Sequence, residues 1–153
     1  MDAALIRWFM LLRETGDLEK LVLPEVRAPS KFLGLFERCD LYFCVDDEAQ
    51  IQGAFWVEPF LSSAFLSVWL RQDFRQAAGI AWIRQGYAMV LERWPIIFGF
   101  TGQERLLPVH RKMGYTVLEC IPGAWDGGPG WVLSLKREDW LARHRTPELW
   151  WSK

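Results

Sequence analysis

Three apolar, β-rich runs stand one after another with connections that allow little except a reversal of direction. LYFCV (41–45), IQGAFWVE (51–58) and SAFLSVWL (63–70) are separated only by the polar turn DDEAQ and by a break at Pro59. Parallel neighbours would need a crossover of about a dozen residues. The runs therefore predict an antiparallel meander. The pattern changes after Leu70. RQDFRQ is a polar loop, and from about Ala77 to Arg93 the residues Ile80, Ile83, Tyr87, Val90 and Trp94 keep helical spacing. Pro95 ends that helix and PIIFGF (95–100) reads as a strand. Strand, helix, strand in this order predicts a parallel crossover.

The flanks complete the outline. Leu5, Trp8, Phe9 and Leu12 make residues 3–15 an amphipathic helix, with Gly16 as its stop. LVLPEVRAPS reads as loop, and Ser30 as the cap of a short helix KFLGLFER that ends near Cys39. TGQERLLPVHRKMG reads as a helix stopped by Gly114, with Pro108 kinking it or lying in its first turn. YTVLECI (115–121) and GWVLSLK (130–136) read as strands around a turn-rich loop, GAWDGGPG, and REDWLARHR adds a helical turn or two. The order α-α-β-β-β-α-β-α-β-β predicts an α/β chain built as an α+β mixed sheet with helices on both faces. There is no repeat and no domain boundary. Residues 1–153 are expected to form a single domain, with 137–153 as a helical, aromatic tail.

Composition narrows the function. A chain of 153 residues, 51% of them hydrophobic, can bury a core without a disulfide or metal staple. The net charge is −1 and no block of one sign exists, which argues against a nucleic-acid partner. No apolar run approaches the ~18 residues of a spanning helix. Asp2 and Arg7 spoil any signal-peptide pattern, so a cytoplasmic protein with no membrane contact is expected. Cys39, Cys44 and Cys120 are an odd set that fits reduced thiols, and Cys120 is expected to be buried and structural. With only His110 and His144 beside them, and no CxxC, no metal site is expected. Trp150 and Trp151, in the tail PELWWSK, either fold back or dock on a protein partner or a second copy.

One motif carries chemistry. QAAGIA (76–81) places Gly79 just inside the long helix, where glycine costs about 1 kcal/mol relative to alanine. The first amides of a helix lack intrahelical partners and carry partial positive charge. Small residues there let an anion approach the backbone. Arg71, Arg75 and Arg84 flank the position and suit phosphate.

In QAAGIA, Gln76, Gly79 and Ala81 match the pattern Gln/Arg-x-x-Gly-x-Gly/Ala, and HRKMGY (110–115) is similar to a helix-end signature in which a Tyr stands four residues before a Gly and an aromatic. With these motifs the chain resembles the GNAT (Gcn5-related N-acetyltransferase) superfamily over roughly residues 3–136. The resemblance implies the GNAT fold, an antiparallel meander followed by β-α-β-α-β-β. It also implies acetyl-coenzyme A as cofactor and a primary amine, on a small molecule or a protein, as acceptor. Gln76, Ala78, Gly79, Ile80 and Ala81 would then hold the pyrophosphate, and the main chain of Val68 to Leu70 would face the pantetheine arm. Gln103 stands where the family often has an Asn. His110 occupies the position of the signature Tyr and becomes the candidate acid. Acetyl transfer also needs a base for the amine and donors for an oxyanion. Some members carry a Glu on the third meander strand, but SAFLSVWL has no carboxylate, so Glu58 and Glu119 are the nearest candidates. The alternative is a catalytically inert GNAT-fold structural or interaction protein, of the kind tailed phages encode, docking through its aromatic tail.

Overall fold

The computed structural model describes residues 3–144. Trp150 and Trp151, and with them the expected docking tail beyond residue 144, lie outside the described residues. The three runs form the meander: β1 (Asp40–Val45), β2 (Ile51–Phe60) and β3 (Ser63–Leu70) pair antiparallel in sequence order. Helix α4 (Ala77–Arg93) then carries the chain across to β4 (Ile96–Thr101), which lies parallel to β3. The last strands, β5 (Thr116–Trp125) and β6 (Gly128–Lys136), form a hairpin whose second strand inserts beside β4. The sheet order is β1-β2-β3-β4-β6-β5.

Period-2 alternation sends neighbouring side chains to opposite faces, and each face has its own core. Ala54, Trp56 and Trp69 meet α1 (Ala3–Thr15), α2 (Leu18–Leu21) and α3 (Pro29–Leu35). Trp8 is fully buried there, with the rings of Phe32, Phe36, Phe43 and Trp56 centred 5.3–5.6 Å away. Phe55, Val57, Leu66, Ile97, Leu133 and Leu135 face the other way, onto α4, α5 (Leu107–Met113) and α6 (Arg137–Arg143). Gly86 lets α4 approach, since a Cβ there would stand 2.8 Å from the Phe55 ring. Helices thus cover both faces, as the sequence predicts.

Several boundaries differ from expectation. β2 runs through Pro59 to Phe60, because β1 ends opposite Val57 and a proline beyond that point removes no ladder bond to β1. LVLPEVRAPS is not all loop: it contains the end of α2 and a 3₁₀ turn at Pro24–Val26. Ser30 is not a cap. Ala28 holds that position and Pro29 opens α3. GAWDGGPG is the end of a hairpin, with Asp126 (φ 45°) and Gly127 (φ 79°) as its two turn residues. Cys120 is exposed on the edge strand β5. Pro108 does lie in the first turn of α5, and Gly114 closes that helix in the left-handed region at φ 107°. No helix among the described residues is long and apolar enough to cross a membrane.

Candidate functional site

The parallel junction is brief. β3 and β4 pair only through Ala64–Ile97 and Phe65–Phe98. Beyond Phe65, β3 keeps its ladder with β2 but has no strand on its β4 side, and beyond Phe98, β4 keeps its ladder with β6. The two strands splay and open a channel in the sheet. One end is a cavity of about 220 Å3 between Ser67, Trp56, Phe100, Thr101 and Trp125. The other is a cavity of about 350 Å3 between Val68–Leu70 of β3, Ile80 and Ile83 of α4, and Val109 and Met113 of α5. Lys20, Val68, Tyr87, Gln103 and His110 line both and mark the waist where the two meet.

His110 lines the waist from within α5, and the Gly114 C-cap turns the chain back so that the Tyr115 amide donates to the His110 carbonyl at 3.0 Å. Its ring meets the Tyr115 ring edge-on at 5.4 Å, and its Nδ1 is buried without a hydrogen-bond partner. Burial holds the imidazole pKa below its usual 6.5, which favours the neutral ring. The Tyr115 and Tyr87 hydroxyls lie 3.0 Å apart, both buried. Burial pushes the Tyr87 hydroxyl up to about 12, against the lowering effect of its bond to Tyr115, and raises Tyr115 well above 10. Both therefore stay protonated near neutral pH. One mutual bond uses one of two hydroxyl hydrogens and leaves the other to donate elsewhere.

The start of α4 lies beside the wider cavity. Gln76 is its N-cap residue and its side chain makes no cap bond to the first-turn amides. Gln76, Ala78, Ile80 and Ala81 are exposed. Gly79 differs. It is buried, and a Cβ on it would stand 2.0 Å from the Phe74 carbonyl oxygen. Its smallness admits the preceding 3₁₀ turn (Gln72–Phe74) against the helix. Arg75 lines the cavity and donates to the Leu70 carbonyl at 3.2 Å, while the half-buried Arg71 bonds Gln52 through its amide at 2.9 Å.

Gln103 is engaged from two sides. Arg105 forks onto its Oε1 at 3.1 and 2.9 Å, and its amide donates to Thr101 Oγ1 at 3.1 Å. Asp17 accepts from Trp69 Nε1 at 3.1 Å and from Lys20 Nζ at 3.0 Å. Burial works to raise its pKa, but these bonds and the charges of Lys20 and Arg75 outweigh it, so the net shift is downward.

The structure brings His110, Gln103, Val68, Leu70, Arg75 and Ile80 to one channel. It does not bring Glu58 or Glu119 there. Glu58 is exposed near Cys39, and Glu119 is exposed at a bulge opposite Val132. Sequence reasoning missed Tyr87, Tyr115, Lys20 and Trp125. Tyr87 sits at core spacing on α4, and only its contact with Tyr115, on the same face of the sheet, reveals the hydroxyl pair. Among the described residues no group of acidic, histidine or cysteine side chains could hold a metal.

No protein-family model and no curated protein matches the sequence. Solved structures do share its fold. A spermidine N-acetyltransferase from Vibrio cholerae, in complex with CoA and spermine, superposes with a TM-score of 0.66 at 12% identity, over 92% of this chain and 95% of that one. An aminoglycoside 6'-N-acetyltransferase complexed with coenzyme A gives 0.63 at 14% identity, over 85% and 88%. A ribosomal-protein-alanine N-acetyltransferase from Brucella melitensis gives 0.60 at 16%, over 83% and 92%. The fold is that of the GNAT N-acetyltransferases, as the two motifs imply.

Proposed function

We propose that this protein is an acetyl-coenzyme A-dependent N-acetyltransferase acting on a primary amine. The observation that carries the reading is the splay of β3 from β4 with His110 at the waist of the channel it opens. Two of the superposed enzymes were solved with CoA. The residues here fit such a molecule. The 17-residue helix α4 presents uncapped first-turn amides among the exposed Ala78, Ile80 and Ala81, which suits a pyrophosphate. Arg75 lies beside them, and the open edge of Val68–Leu70 offers backbone groups to an extended arm.

Acetyl-coenzyme A supplies an acetyl group activated as a thioester. The chain must supply proton management, because an amine attacks only through its lone pair. Neutral His110 can take the proton that the amine loses. Once protonated, it can hand that proton to the departing sulfur, so no carboxylate on β3 is required. This modifies the role read from the sequence: His110 serves first as base and then as acid. The free hydrogen of the Tyr87–Tyr115 pair is a donor for charge that develops on oxygen or sulfur.

Calorimetry with coenzyme A tests the reading. Micromolar binding by the wild type, lost in Ala78→Glu, supports it; no heat from the wild type at millimolar ligand refutes it. That result would favour the second reading, an inert GNAT-fold module.

A further inference from the structure

We infer that the acceptor is a small aromatic α-amino acid, its ring held between Trp56 and Trp125 and its carboxylate by Lys20. The inference rests on the acetyltransferase reading and names the substrate class of that same channel.

The smaller cavity has aromatic walls. Trp56, Phe100 and Trp125 line it, and the Phe100 and Trp125 rings are 5.7 Å apart at 36°. Trp125 is held in place twice over. Gly102 leaves room for it, since a Cβ there would lie 2.4 Å from the indole, and Arg27 pairs with the neighbouring Asp126 at 3.4 Å. Rings favour offset or edge contacts with such walls. The volume, about 220 Å3, exceeds by a modest margin the ~150 Å3 in which benzene is known to bind. An aromatic side chain with a short polar tail is the size that fits.

The charge of the cavity narrows the class further. No aspartate or glutamate is among its lining residues, and its one formal charge is Lys20. Aromatic faces attract cations as well, but an acceptor with several ammonium groups would meet Lys20, and the neighbouring carboxylate, Asp17, is already engaged by Lys20 and the Trp69 indole. Lys20 is anchored to Asp17 at 3.0 Å, and its side chain is 60% exposed. An ammonium has three donors, so two remain for a ligand. Lys20 and His110 both stand at the waist. In an α-amino acid the amine and the carboxylate share one carbon. The inferred pose puts the amine at His110, the carboxylate at Lys20 and the side chain in the smaller cavity, whose lining includes both residues.

The test starts with the wild type and coenzyme A in a calorimeter. Then, with coenzyme A present, L-phenylalanine, L-tryptophan, their carboxamides and spermidine are titrated in turn. The carboxamides keep size and amine but lose the charge. An aromatic amino acid should bind about tenfold more tightly than its carboxamide, the scale of one charge-assisted hydrogen bond. Lys20→Met should bring that ratio close to one, and release of free thiol from acetyl-coenzyme A should follow the same order. A carboxamide that binds as well as its acid, a preference for spermidine, or no heat from either amino acid on a protein that binds coenzyme A would overturn the inference alone. A wild type that does not bind coenzyme A would overturn the acetyltransferase reading and this inference with it.

Discussion

The hydroxyls of Tyr87, on α4, and Tyr115, just before β5, share one hydrogen bond of 3.0 Å in the buried wall of the channel. Removing one hydroxyl leaves the other without its buried partner. Tyr87→Phe or Tyr115→Phe should each cost about 1–3 kcal/mol of stability. The double variant should cost less than the sum, because no orphan then remains. Urea denaturation of the four proteins measures this, and strict additivity would contradict the shared bond. Both pKa values are raised on folding, so the pair's contribution is full below pH 10 and is lost as pH climbs through about 12 for Tyr87.

His110 gives an acid-side signature. Its folded pKa lies below the usual 6.5, so the neutral ring is favoured in the fold. That contribution is present above pH 6.5 and lost as pH falls through the lowered folded value. His110→Gln should flatten this part of the stability profile. It should also reduce kcat by about 10²–10⁴-fold, the range of general acid–base catalysis. A wild-type acid limb centred above 6.5 in the kcat profile would argue against His110 as the proton carrier.

Gly79 and Ala78 separate folding from binding. Gly79→Ala places a methyl 2.0 Å from the Phe74 carbonyl, so the 3₁₀ turn must move and thermal stability should fall. Ala78 is exposed, so Ala78→Glu should melt close to the wild type yet fail to bind coenzyme A. If Ala78→Glu binds normally, the start of α4 is not the phosphate site.

Asp17 joins the channel to the α1–α3 face. Asp17→Ala leaves the Trp69 indole N–H without its acceptor and Lys20 without its anchor. We expect a loss of about 1–3 kcal/mol at neutral pH. Because the folded pKa is lowered, the wild-type advantage is present above pH 3.8 and fades as pH falls through the folded value. Denaturation midpoints at neutral and strongly acid pH would reveal it, and equal differences at both would deny it.

The fold was legible where local pattern and connection length agree. LYFCV, IQGAFWVE and SAFLSVWL leave one arrangement open, and Ile80, Ile83, Tyr87 and Val90 can only be a helix that covers them. The order of the last two strands was not legible, because a hairpin can dock by either member. Asp126-Gly127 reads as a turn between two strands and is one, but the strands run closer to it than GAWDGGPG suggests, and nothing local reports that Trp125 packs on Gly102. At the site, the sequence indicates His110 and the start of α4 through spacing alone. Lys20, Tyr115 and Trp125 are joined only by the sheet, over separations that no periodicity reports. The carboxylates Glu58 and Glu119 are near the site in the chain, but both are exposed and neither lines the channel.

The brevity of the β3–β4 junction has a consequence for the whole molecule. The sheet is two antiparallel ladders stitched by two residue pairs. A ligand lodged along Val68–Leu70 and against α5 touches the first ladder and the helix that joins the strands of the second, and so acts as a splint between the two halves. Its binding energy then adds to the resistance of the fold, by about 2.7 kcal/mol when the free ligand stands at one hundred times its Kd. The melting temperature of this chain would therefore track the concentration of whatever fills the gap.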